Sequence, residues 1–332
     1  MKIALCFIIN YEHILVKEHI WREWIEPNKD IINVYFFYDD YSKIKSEWIR
    51  QHALPSTYCN PQKTKTSYYY VIPAYISLMR FATRIDSSNQ WFCFLTDSCC
   101  PIISPKRFRY LFFKYYAFSI FSWKTSWWNV EMHKRANLRL LPYSYHLAND
   151  PWFVLNRQNV YYCLSFLKIY PDITKIVCEG GLANESLFAI MLYQYKQIDH
   201  KDNNILKQSN QSNQNIINQV THATDWERMS SATSPHIFTE GNKTDKQFIE
   251  KNINNEQFVM FIRKISLDFP DELLRYYIYE YNKKQDDLLV IDESLFHKIH
   301  IYIVNKLQIY SVLISNIICF IFVGCIIYWI YK

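Results

Sequence analysis

Only 4 glycines occur in 332 residues, at positions 180, 181, 241 and 324. A chain this poor in glycine cannot build a Walker A loop or a G-x-G-x-x-G dinucleotide fingerprint, so any nucleotide it binds is held another way. Two of the four stand together in Gly180-Gly181-Leu182-Ala183-Asn184-Glu185-Ser186. Such a pair marks a backbone that needs positive φ or the close approach of another group. Glu185 follows and opens an apolar run, Leu187 to Leu192, that reads as a helix. Its carboxylate reads either as a partner for the helix dipole or as a general base presented by a tight turn. On the second reading, the glycines let an acceptor approach the carboxylate.

Composition narrows the function classes. The chain is 18% aromatic, with 27 Tyr, 22 Phe and 10 Trp, so an aromatic ligand platform does not stand out from its background. A net charge of +6 suits an anionic ligand or membrane surface without demanding nucleic acid. The 9 cysteines include an adjacent Cys99-Cys100 pair but no C-x-x-C, which argues against zinc and for reduced, buried thiols.

Apolar strand-like runs at 3–9, 31–38 and 91–96 alternate with helical patterns. The clearest helix spans 70–83, with Val71, Tyr75, Leu78, Met79 and Ala82 on one face. Segments 152–155 and 258–263 read as further strands, and 158–167 and 185–195 as helices. The alternation predicts an α/β domain over 1–280 whose largely parallel sheet is flanked by helices. Segment 199–219, rich in Asn, Gln and Lys, reads as a flexible insertion, and 281–308 as a helical connector.

Ile309 to Tyr331 carries no charge. In a helix it would rise about 34 Å, enough to cross a bilayer. It is expected to be a single C-terminal transmembrane anchor. The start at Met1-Lys2 reads as a buried strand and not as a signal peptide. This topology puts the body in the cytosol, with the sequons at Asn184, Asn210 and Asn242 unused.

Three further features carry candidate chemistry. Asp39-Asp40 reads as an acidic metal-binding pair or as a capped turn after the second strand. Arg263-Lys264 reads as a solvated strand end or as fixed positive charge for an anion. Basic and aromatic residues interleave from Lys106 to Lys124; this is an amphipathic helix after Pro105 or, as the minor alternative, a stacking surface for single-stranded nucleic acid.

Five ordered segments resemble the core-2/I-branching N-acetylglucosaminyltransferase family, in particular its divergent plant and giant-virus members. Trp91 to Ile102 is similar to the family's strand and Ser-Glu-Ser-Cys-x-Pro-Leu turn, with Thr96 and Asp97 at the Ser and Glu positions. Asp150 to Arg157 resembles Gln-Trp-Phe-x-Leu-x-Arg. Gly181 to Phe188 stands at the Pro-Asp-Glu-x-x-Phe segment, with Asn184 replacing the Asp and Glu185 retained. Asp225-Trp226 with Ser234-Pro235 resembles the Val-Asp-Trp and His-Pro elements, and Phe261 to Lys264 the Phe-Ala-Arg-Lys-Phe element.

The resemblance covers roughly residues 2–280. It implies a GT-A-like, Rossmann-type fold and inverting transfer of a sugar, N-acetylglucosamine by family default, from a UDP donor to a carbohydrate hydroxyl. Glu185 would be the base, with Asp40, Asp97, Arg263 and Lys264 on the donor side. Trp226 would be an acceptor platform or, on its residue type alone, a core tryptophan. Trp128 would lie on the acceptor side. The resemblance also implies that basic side chains replace a metal, so no cofactor is expected. The alternative is a catalytically inactive, membrane-tethered glycan-binding or scaffold protein of the same fold.

Overall fold

In the computed structural model, residues 1–9, 11–59, 66–67, 69–200, 215–231 and 234–291 are described. Met1–Leu289 make one compact unit. Its strands in chain order are β1 (Lys2–Ile8), β2 (Ile32–Phe37), β3 (Asn89–Thr96), β4 (Cys100–Pro101), β5 (Ser119–Ile120) and β6 (Trp123–Thr125). They continue with β7 (Leu147–Asn149), β8 (Val154–Asn156), β9 (Ile216–Ile217), β10 (His222–Thr224) and β11 (Phe261–Arg263).

The continuous apolar run of β1 makes it the centre of the main sheet, ordered β2-β1-β3-β8-β5-β9. Ile3 to Phe7 are fully buried, as expected for a parallel strand covered on both faces. β2 and β3 flank it in parallel, with Leu5 beside Val34 and Cys93. The sheet is largely parallel, as expected: five of its six strands run the same way, and β8 alone is reversed, antiparallel to both β3 and β5. The end of the segment expected to be a flexible insertion supplies the edge strand β9, parallel to β5. A second sheet, β10-β11-β4, packs Phe261 against Trp21, Trp24 and Phe108.

The helix Ile72–Ile85 buries the predicted face, including Tyr75, Leu78, Met79 and Ala82. The helix Pro105–Tyr115 is amphipathic: Ser104 caps it, and Phe108, Leu111, Phe112 and Phe113 are buried. That favours the ordinary reading of the basic-aromatic stretch. Asn156 caps the helix Arg157–Ile169 through the Asn159 N–H at 2.8 Å, a contact worth about 1 kcal/mol. Arg157 then donates to the carbonyls of Thr83, Asp86 and Asn89 and locks the end of Ile72–Ile85 against β3.

The cysteines of the described residues are all free, and six of the seven are buried. The candidate anchor 309–331 lies outside the described residues. Among the described residues, no helix is long and apolar enough to cross a membrane.

Candidate active site

A cavity of about 520 Å³ opens at the carboxyl ends of β1 and β3, the position where ligands bind α/β sheets. Its size suits a small ligand. Asp97, Glu185, Trp226, Arg263 and Lys264 all line it. Five residues spread along the chain are therefore brought to one site.

The donor-side wall is assembled by β3, β4 and β11. After β3, the Cys99 N–H donates to the Thr96 carbonyl at 3.2 Å, closing a turn that turns Asp97 into the cavity. β11 pairs with β4 immediately beyond this turn, Ile262 opposite Cys100, which brings Arg263 alongside. The Arg263 guanidinium donates to Thr96 Oγ1 at 2.5 Å and lies 3.8 Å from the Trp152 ring centroid. It is 8% exposed, so the solvated strand-end reading fails for Arg263. Lys264 is half-buried and bracketed by backbone bonds, from Ile265 N–H to the Ser98 carbonyl and from Phe238 N–H to its own carbonyl.

The charges on this wall perturb one another. Burial pushes the Asp97 carboxyl above its usual range, and Arg263 and Lys264 oppose that rise. Burial lowers Lys264, the neighbouring Arg263 lowers it further, and Asp97 opposes. Arg263 and Lys264 face Asp97 on this wall, and both are cations that could meet an anion in the cavity.

Glu185 sits one step earlier than the helix start predicted for it. It ends the 3-10 turn Ala183–Glu185, and the helix proper is Leu187–Gln194. The positive φ in this region belongs to Leu182, at 58°. Gly180 instead answers a close approach: a Cβ there would lie 2.3 Å from the Asn137 nitrogen and 2.6 Å from the Ala136 carbonyl carbon. A Cβ on Gly181 would face Tyr69 at 3.3 Å. The glycines therefore admit the chain's own segments, not an acceptor, and that expectation is corrected.

The docking has a chemical consequence. Ala136 N–H donates to the Gly181 carbonyl at 2.8 Å, and this pairing carries Arg135 to Glu185 at 3.2 Å. Asn149 fixes the turn from the other side, donating to the Asn184 carbonyl and accepting from Ala189 N–H. Burial raises the Glu185 carboxyl above its ordinary range; Arg135 opposes, Asp150 adds to the rise, and Arg263 opposes. A partly desolvated carboxylate with a raised proton affinity is suited to taking a proton.

Trp226 is 47% exposed at the cavity rim, which rules out the core reading. Trp128 is not among the lining residues, but the Arg135 guanidinium lies 4.8 Å from its ring and links it to Glu185. Asp40 stands apart from the cavity lining. Its carboxylate accepts from the Ser42 N–H at 3.0 Å and hydroxyl at 2.6 Å, and Asp39 accepts from the Thr66 hydroxyl. The pair is thus a capped turn, with Asp40 lowered by its Ser42 hydrogen bonds.

Sequence reasoning missed Arg135, Asn149 and Trp152. Arg135 and Asn149 sit in no periodic pattern, and Trp152, within the Trp-Phe match, carried no sign that it would support Arg263.

The family model for the core-2/I-branching enzyme matches residues 31–259, more than half of the chain. The chain belongs to the core-2/I-branching enzyme family. It is therefore a glycosyltransferase by family, and its mixed α/β unit fits a GT-A-like glycosyltransferase domain. No curated protein matches the chain.

Proposed function

We propose that this core-2/I-branching family member transfers a sugar, N-acetylglucosamine by family default, from a UDP donor to a carbohydrate hydroxyl with inversion. Glu185 removes the acceptor proton while the acceptor oxygen forms a bond to the anomeric carbon. The bond from that carbon to the diphosphate breaks, and the electron pair leaves with UDP. Arg263 and Lys264 stabilise the developing charge on the diphosphate by fixed positive charge, without a metal. Asp97 lies on the donor side beside the two cations, and Trp226 offers a face for the apolar C–H surface of the acceptor, with Arg135 between Trp128 and Glu185.

The observation that carries this reading is that a partly desolvated carboxylate, a buried arginine and a half-buried lysine line one ligand-sized cavity. Asp40 contributes only through its resemblance to a uridine-contacting acid.

The first experiment is donor hydrolysis and transfer across a panel of UDP-sugars, with and without excess EDTA. Turnover of a UDP-sugar in EDTA supports the reading. Metal-reversible loss of all activity refutes the metal-free part. Absence of turnover together with absence of a UDP-induced thermal shift favours the inactive scaffold. Residues 309–331 are proposed as a membrane anchor, tested by carbonate extraction of the full chain and of a chain ending at 308.

A further inference from the structure

The segment from Asp225 to Ile237 supplies three residues of the cavity wall, Trp226, Pro235 and Ile237. An exposed tryptophan on a loop needs something to hold it still. The neck of this loop is closed by His236 N–H donating to the Asp225 carbonyl at 2.9 Å. Asp225, 3% exposed, accepts from the Glu227 and Arg228 N–H groups at 3.0 and 3.1 Å. Arg228 then spans two carboxylates: Nε reaches Asp225 Oδ2 at 2.7 Å, and Nη1 reaches Asp245 Oδ1 at 2.8 Å.

Asp245 is 1% exposed and lies in the first turn of the helix Lys243–Asn255, with His236 Nε2 3.1 Å from the same oxygen. The loop is therefore tied through one guanidinium to a helix of the body. A planar fork is the side chain that can bond two acids at once; an ammonium is a single point charge.

We infer that Arg228 is a positioning residue for sugar transfer: its bridge between Asp225 and Asp245 fixes Trp226 at the cavity rim and so sets acceptor affinity. This rests on the reading of Trp226 as the acceptor platform. Arg228 itself does not line the cavity.

Two measurements on the full-length protein test it. In 5-fluorotryptophan-labelled protein, the ¹⁹F resonance of Trp226 is assigned by its loss in Trp226→Phe. Arg228→Gln shifts or broadens that resonance and leaves those of the buried tryptophans in place; an unchanged Trp226 resonance overturns the inference.

Acceptor kinetics are then run at saturating donor, with the most active of a panel of p-nitrophenyl pyranosides. Trp226→Ala raises acceptor KM about tenfold, the scale of one aromatic contact. Arg228→Gln raises it by no more than that, with kcat and donor KM held. Arg228→Lys falls between Arg228→Gln and the wild type. The double variant is no worse than Trp226→Ala alone, because residues acting through one group are not additive. Additive losses, or a normal acceptor KM in Arg228→Gln beside a raised one in Trp226→Ala, overturn the positioning role. A normal acceptor KM in Trp226→Ala refutes the platform reading instead. Should Arg228→Gln fail to fold, Asp245→Asn, which weakens the same bridge from the other end, is measured in its place with the same outcomes.

Discussion

Glu185→Gln is the sharpest perturbation of the proposed chemistry. Gln has the size of Glu and keeps an oxygen for Arg135, now 3.2 Å from the carboxylate, but it cannot take a proton. A positioned general base contributes about 10²–10⁴-fold, which corresponds to about 2.7–5.5 kcal/mol of barrier. The variant is expected to lose kcat by that factor. Its fold should survive, because the pair it weakens is a single half-buried contact, and the 3-10 turn is also held by Asn149 and by the backbone pairing to Ala136. UDP affinity should stay unchanged, since Arg263 and Lys264 are untouched. The assay is transfer kinetics under saturating donor, beside calorimetric titration with UDP and a thermal melt. A folded, UDP-binding variant whose kcat falls by less than about tenfold would refute Glu185 as the base.

Arg135→Gln removes the cation that opposes the rise of the Glu185 pKa. Because Glu185 works only when deprotonated, activity falls as pH drops through its pKa, and this variant should move that acidic limb to higher pH; an unmoved limb in kcat/KM would count against the pair. Lys264→Ala should weaken UDP binding by about 1.5–3 kcal/mol, the scale of a charged hydrogen bond, read by titration calorimetry, and unaltered affinity would remove Lys264 from the donor site. Gly180→Ala forces a methyl to within 2.3 Å of the Asn137 nitrogen, so it should destabilise the fold by about 1–3 kcal/mol, measured as a lower denaturation midpoint.

Some of this was legible in the linear chain. The strands β1, β2 and β3 and the helix Ile72–Ile85 lie close to their predicted ranges. A strand buried on both faces must be a continuous apolar run, and a half-buried helix must repeat every 3.6 residues. The short strands β5, β9 and β10, of two or three residues each, are too brief to show a period. Their pairing depends on what the rest of the fold places beside them. Segment 199–219 illustrates this: its Asn/Gln-rich composition reads as insertion, yet Ile216–Ile217 joins the sheet because β5 offers an open edge.

The site divides in the same way. Five ordered segments that resemble the core-2/I-branching family singled out Glu185, Asp97, Arg263, Lys264 and Trp226, whereas residue type alone left Glu185, the Arg263-Lys264 pair and Trp226 open to ordinary structural readings. Sequence could not say that Asp40 would be occupied by Ser42, or that Gly180 makes room for Ala136 and Asn137. Nor could it supply Arg135, which acts only because the Gly180-Gly181 turn docks beside it and carries its charge to the carboxylate. The chemistry of a side chain is a property of the residue and can be read along the chain. Its proton affinity, its exposure and its partner depend on distance and burial, and those exist only once the chain has folded.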